Sequence, residues 1–193
     1  DEDVIEGQAS VAVEMLEQLG RAPDLVILPV GGGGLASGVT LFLRSEAPQT
    51  EYRFVEPLGG ASLTAALAAQ EPVRLARVNS FVDGAAVARL GDKTFAALTW
   101  VKPSEVLLAP EDRICVTMLE MLNVEGIVLE PAGALSLDVL PELADQIVGK
   151  TVVCVTSGGN SSRTPCRRSV TSWRVRYRSM PSSKVIVTCE RPN

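Results

Sequence analysis

The sequence contains no histidine. That absence removes Ser-His-Asp and Cys-His catalytic arrangements and leaves zinc without a common nitrogen ligand. The four cysteines, Cys115, Cys154, Cys166 and Cys189, lie far apart and include no CxxC pair. A metal site is therefore not expected. Cys115 and Cys154 fall within apolar runs and read as small buried hydrophobes in a reducing, cytoplasmic compartment. No stretch approaches the ~20 unbroken apolar residues of a membrane span, so no membrane partner is expected. The chain opens on Asp1 without a charged-then-apolar leader, which reads as a removed start or a piece of something longer. Lysine is also scarce: Lys93, Lys102, Lys150 and Lys184 are all there are.

What is present describes a globular chain. With 193 residues, 46% of them hydrophobic and 21% charged, there is material for one domain with a real core. The charge is unevenly spread. Of 18 Lys and Arg and 23 Asp and Glu, eight bases and a single acid, Glu190, fall in residues 161–193. That tail is also rich in Ser and Pro and has neither glycine nor alanine, although both abound before it. We divide the chain into a body, 1–160, and a basic tail, 161–193. A basic tail can bind nucleic acid or an acidic membrane surface. The abrupt change of composition favours a different origin, such as a shifted reading frame, and nucleic acid is not the expected partner. For "RVRYRSMPSSKVIVTC" within it, the sequence names no partner strand.

Apolar periodicity in the body alternates between two kinds of element. Ile5 to Leu19 carries a broad apolar face and ends at Gly20, which reads as a capped helix. Asp24 to Val30 is a short buried strand, Leu35 to Leu43 a helix, Glu51 to Val55 a strand and Ser62 to Ala69 a small helix. A loop carrying "FVDGAAV" leads to a strand at Glu105 to Leu108 and a helix at Glu111 to Leu122, with acids in its first turn. Pro131 sits at the first position of a helix, "PAGALSLDVLPEL". Thr151 to Thr156 is a last buried strand. The alternation predicts an α/β fold, a mainly parallel open sheet with helices on both faces.

Four consecutive glycines, Gly31 to Gly34, stand between the first strand and the helix that opens at Leu35. Glycine is costly to order, so the run asks for a reason. A strand–glycine loop–helix unit presents unpaired backbone N–H groups at the positive end of a helix, and a phosphate fits there. No Lys-Ser/Thr follows, which excludes a triphosphatase P-loop. Gly31-x-Gly33-x-x-Ala36 also satisfies a dinucleotide fingerprint, with Glu51 or Glu56 as the ribose-binding acid, and a purely structural turn is a third reading. A second glycine motif, "TSGGN" at Thr156 to Asn160, ends the last strand. A dinucleotide fold does not call for it, whereas a phosphorylated ring held between two strand ends does.

In order and spacing, "PVGGGGLASGV", "VEP", "FVDGAAV", "EGIVLEPAGAL" and "VTSGGN" resemble the pyridoxal-phosphate enzymes of the tryptophan-synthase-β type, and among them the threonine dehydratases. The resemblance spans Asp1 to Asn160. It implies an incomplete larger domain of the fold type II enzymes, with pyridoxal 5'-phosphate as cofactor and an amino acid as substrate. The implied reaction is dehydration and deamination of threonine to 2-oxobutanoate and ammonia in isoleucine biosynthesis. Serine dehydratase, serine racemase and threonine synthase share much of the scaffold. By resemblance, Gly31, Gly32, Gly33, Gly34 and Leu35 cradle the phosphate. Ser157, followed by Gly158, meets the pyridine nitrogen, and Glu130 lies near the ring. Asp83 and Gly84 belong to a loop on the substrate side. Glu56 reads as a strand-end carboxylate facing solvent, and Leu58 to Ser62 offers no second carboxylate for a cation. The family's Schiff-base lysine sits in a Ser-x-Lys-x-Arg-like segment that none of the four lysines matches, so the chain alone is expected to be inactive. A full-length member is expected to be a homo-oligomer.

Overall fold

The structure, a computed structural model, describes residues 2–158 together with the backbone of residues 175–179 and 184–189. Four parallel strands form the larger part of a six-stranded sheet: β1 (Leu25–Pro29), β2 (Glu51–Pro57), β3 (Val106–Ala109) and β4 (Val152–Ser157). Their spatial order is β3-β2-β1-β4. Leu25, Val26 and Ile27 of β1 lie beside Val152, Val153 and Cys154 of β4. Strands β1 and β4 therefore run side by side and finish at the same end of the sheet.

Strand side chains alternate between two cores, because successive residues point to opposite faces. Val26, Leu28, Phe54, Val153 and Val155 join one cluster. Against it pack α1 (Glu2–Leu19), α2 (Gly34–Glu46), α3 (Ser62–Ala69) and α4 (Asp92–Leu98). Leu25, Ile27, Val55, Val152 and Cys154 join the other. It is covered by α5 (Glu111–Glu120) and α6 (Pro131–Asp138). Helices thus lie on both faces, as the alternation of elements predicts. Large residues such as Phe54, Leu28 and Met15 are fully buried. Each such side chain contributes roughly 1.5–3 kcal/mol by leaving water. Among the described residues, no helix is long and apolar enough to cross a membrane.

Several elements differ from expectation. Helix α4 arises in a stretch that reads as loop, since its seven residues are too few to show a period. The helix starting at Glu111 passes into a π-helical turn at Met121–Glu125 before Gly126 ends it. The helix opened by Pro131 stops at Asp138 and continues as a tighter 3-10 turn, Leu140–Leu143, because Pro141 has no N–H to donate. Cys154 is buried and lies outside any disulfide, as expected. Cys115, only partly buried on α5, takes part in a disulfide instead.

The tail sequence finds a partner after all. Strand β5 (Val175–Ser179) pairs antiparallel with β6 (Lys184–Cys189), and β6 pairs antiparallel with β4. An open strand edge is a ready template for such pairing, and its Val, Ile, Tyr and Thr residues suit a strand. The remaining tail residues, and Gly159 and Asn160 of "TSGGN", lie outside the described residues.

Helices α1 and α2 approach through Gly38, where a Cβ would stand 2.3 Å from the Ile5 carbonyl oxygen and 2.8 Å from the Ala9 nitrogen. Backbone cannot yield as a flexible side chain does. Gly38→Ala is therefore expected to destabilise the fold by about 1–3 kcal/mol, measured by urea unfolding; an unchanged midpoint would contradict this packing.

Candidate functional site

The glycine loop leaves β1 at Pro29 and enters α2 at Gly34, and its four glycines serve different ends. A Cβ at Gly31 would meet the Ala85 Cα at 2.9 Å and the Gly84 carbonyl at 3.1 Å. Gly33 adopts φ +85°, a conformation that side chains disfavour, and a Cβ there would press on Thr94 at 2.9 Å. These two are glycine for packing and backbone reasons. At Gly32 nothing lies within 4 Å of a Cβ, and its φ is not positive. Gly32 faces open space.

That space is a cleft of about 210 Å³ lined by Pro29, Gly31–Leu35, Gly84, Ala85, Glu130, Ala132 and Ser157. Among the described residues, the backbone N–H groups of residues 31–36 find no acceptor, the first bond beyond them being Ser37 N–H to the Gly33 carbonyl at 2.9 Å. Unpaired donors at the start of a 13-residue helix make an anion-binding edge.

The opposite wall comes from α6 and the end of β4. Glu130 is the N-cap residue of α6 and Pro131 its first helical residue. Gly133 lets the helix press onto β4, for a Cβ there would stand 1.8 Å from the Ser157 carbonyl oxygen. Gly158 allows the same approach from the other side, since its Cβ would stand 2.5 Å from the Glu130 nitrogen. Ser157 and Glu130 are tied twice. The Ser157 hydroxyl donates to the Glu130 carboxylate at 2.5 Å, and the Glu130 N–H donates to the Ser157 carbonyl at 3.2 Å.

Most of the site residues named from the sequence thus meet in one place. Gly31, Gly32, Gly33, Gly34, Leu35, Gly84, Glu130 and Ser157 line the cleft, while Gly158 supports it from behind. Asp83 does not line it. Its exposed carboxylate accepts the Gly84 N–H at 2.8 Å, which shapes the turn beside the glycine loop. No local sequence signal marks Thr94, whose hydroxyl donates to the Gly32 carbonyl at 2.8 Å.

Glu56 is the clear correction. It does not face solvent but is fully buried, accepting N–H bonds from Leu63 (2.6 Å) and Thr64 (2.9 Å) and the Thr64 hydroxyl at 2.7 Å. Strand β2 continues two residues past Val55, and α3 folds its open N-terminus back over the carboxylate. Among the described residues, no group of three or more His, Cys, Asp or Glu is placed to hold a metal.

Residues 1–158 match the family described as "Pyridoxal-phosphate dependent enzyme". The chain belongs to this family. It is 49% identical over 162 residues to the biosynthetic L-threonine dehydratase IlvA of Mycobacterium leprae and 45% identical over 161 residues to that of Bacillus subtilis. Each match covers 83% of this chain and 38% of the relative, so the chain spans little more than a third of the length of those proteins. Among solved structures, the processed form of threonine deaminase isoform 2 from Solanum lycopersicum superposes with a TM-score of 0.77. It is 34% identical, over 83% of this chain and 47% of that one.

The cleft fits the family's cofactor. A phosphate suits the backbone N–H groups of residues 31–36, and Gly32 leaves it room. Among the described residues, no lysine lines the cleft. Lys93 pairs with Glu2, Lys150 pairs with Glu51, and Lys102 is exposed.

Gly32→Ala is expected to change stability by no more than about 0.5 kcal/mol, as at an unstrained open site, while abolishing cofactor binding. Gly31→Ala is expected to lower the melting temperature outright. Calorimetry and a ligand titration on both variants check this, and Gly32→Ala binding like wild type would refute it. For Glu56, burial pushes the carboxyl above its ordinary 4.5, outweighing the hydrogen bonds that pull it down. The folded state then holds the proton more tightly than the unfolded one, so stability declines as pH rises from 4.5 through the raised value. The unfolding free energy of wild type minus that of Glu56→Gln should fall across that window; a difference independent of pH would refute the assignment.

Proposed function

We propose that the chain is the larger part of the catalytic core of a pyridoxal-phosphate-dependent lyase. Its reaction is dehydration and deamination of L-threonine to 2-oxobutanoate and ammonia, in isoleucine biosynthesis. The single observation that carries the reading is one cleft, at the ends of two adjacent parallel strands, lined on one side by the Gly31–Leu35 loop, whose N–H groups have no acceptor among the described residues, and on the other by the Ser157–Glu130 pair. The 49% identity to a biosynthetic threonine dehydratase supports threonine as the substrate.

In this reading the backbone of Gly31 to Leu35 holds the cofactor phosphate, and α2 adds the positive end of its dipole. Bound there, the cofactor supplies an electron sink for elimination across the substrate's Cα and Cβ. Ser157 meets the pyridine nitrogen. Its hydroxyl is too weak an acid to protonate that nitrogen outright, which keeps the sink mild. The hydroxyl proton is already directed at Glu130. The carboxylate therefore competes with the ring for it, and turning the hydroxyl toward the ring means giving up the 2.5 Å bond. Gly84 and Ala85 wall the cleft on the side assigned to substrate, with Asp83 shaping the turn outside it.

The lysine that holds the cofactor covalently belongs, in this reading, to the parts of the relatives that this chain does not span. A cytoplasmic, homo-oligomeric whole enzyme without membrane or nucleic-acid partners completes the proposal.

A chimaera tests it. Residues 1–158 of this chain replace the matching region of the Mycobacterium leprae enzyme, and product formation is followed by 2-oxo-acid assay. Formation of 2-oxobutanoate from threonine is the expected result. Pyruvate from serine with no product from threonine would assign the site to a serine enzyme, and no product from either would contradict the proposal.

A further inference from the structure

The N–H groups of the glycine loop can serve an anion only if they all turn the same way, and glycine by itself imposes no such direction. Something must hold the peptide planes. Across a trans peptide the carbonyl and the following N–H point in opposite directions, and none of the chain's described peptides is cis. A donor that captures a glycine carbonyl from behind therefore aims the next residue's N–H to the front.

Two buried hydroxyls stand behind this loop. The Thr94 hydroxyl, on α4, donates to the Gly32 carbonyl at 2.8 Å and lies 3.0 Å from the Gly91 carbonyl, so the two oxygens share its proton. The Ser62 hydroxyl, at the start of α3, reaches the Gly31 carbonyl at 3.4 Å. Its bond is the weaker one, because Glu56 also draws on that hydroxyl. Thr94 is itself fixed. Its own carbonyl accepts the Ser37 hydroxyl from α2 at 3.3 Å, its side chain is 7% exposed, and its Cβ and hydroxyl fill the space beneath Gly33. Helices α2 and α4 are thus cross-tied on either side of the loop.

We propose that Thr94, seconded by Ser62, is a positioning residue for the cofactor phosphate. By holding the Gly32 carbonyl it aims the Gly33 N–H into the cleft, and Ser62 does the same for the Gly32 N–H through the Gly31 carbonyl. Neither side chain lines the cleft, so neither touches the phosphate. The inference rests on the reading of the loop as a phosphate cradle.

Titration calorimetry with pyridoxal 5'-phosphate, and in parallel with pyridoxal, on the 193-residue chain tests it. Thr94→Val keeps the shape and removes the hydroxyl. It is expected to weaken pyridoxal 5'-phosphate binding about tenfold, the effect of one lost hydrogen bond on an aligned donor set, and to leave pyridoxal binding unchanged. Thr94→Ser restores the hydroxyl and is expected to bind the phosphate ester like wild type. A merely structural role would weaken both ligands alike. Wild-type binding with Thr94→Val within twofold of it would overturn the inference and leave the cradle standing. Wild type that binds neither ligand would overturn the cradle, and this inference with it. Should Thr94→Val fail to fold, Ser62→Ala decides, with a smaller, phosphate-dependent loss expected and equal binding contradicting the proposal.

Discussion

The parallel pairing of β1 with β4 is the constraint on which the rest of the site depends. It places the exit of one strand, where the glycine loop begins, beside the exit of the other, where Ser157 stands. In open α/β sheets ligands settle at such strand ends. Helix α6 then seals the arrangement through Gly133, which lets its first turn lie directly on the Ser157 carbonyl. A methyl group at that point would push the helix from the sheet and carry Glu130 away from Ser157. The motif "EPAGA" can be read position by position in these terms. It supplies an acid at the N-cap, a proline at the first helical residue, an alanine facing the cleft, and a glycine against the strand.

The electrostatics of the cleft are unusual for a site that would hold a dianion. Among the described residues, its lining contains no lysine or arginine, and Glu130 is the one charged side chain. Attraction must come from oriented N–H dipoles and the start of α2, which act at short range and only when aligned. Such a site gains little from long-range steering and much from rigidity. The buried supports around the loop make sense in this light. Glu56 organises the start of α3, and Thr94 holds the Gly32 carbonyl from α4. Arg113 on α5 bonds the buried Asp138 at 2.7 Å, fixing α6 from its far end.

Much of this was legible in the sequence where the signal is local. The glycine run, Pro131 and the buried strands follow from residue type and spacing, and β1, β2 and β4 appear within a residue or two of their expected bounds. What escaped depends on chain segments that meet only in the fold. Glu56 looks like a strand-end acid until α3 turns its N-terminus onto it. Thr94 lies in a seven-residue helix too short to declare itself, and its partner is 62 residues away. The pairing of β6 with β4 likewise joins segments whose sequences do not announce each other.

The most direct test of the central claim, that the glycine loop binds a phosphate which Ser157 and Glu130 face across the cleft, is amide NMR of the ¹⁵N-labelled chain. Spectra are recorded during addition of pyridoxal 5'-phosphate, and again with pyridoxal. The account predicts that the Gly31 to Leu35 amides shift with the phosphate ester and stay in place with pyridoxal, while the Ser157 amide moves with the ester. Glycine amides that respond equally to both ligands, or to neither, would contradict it.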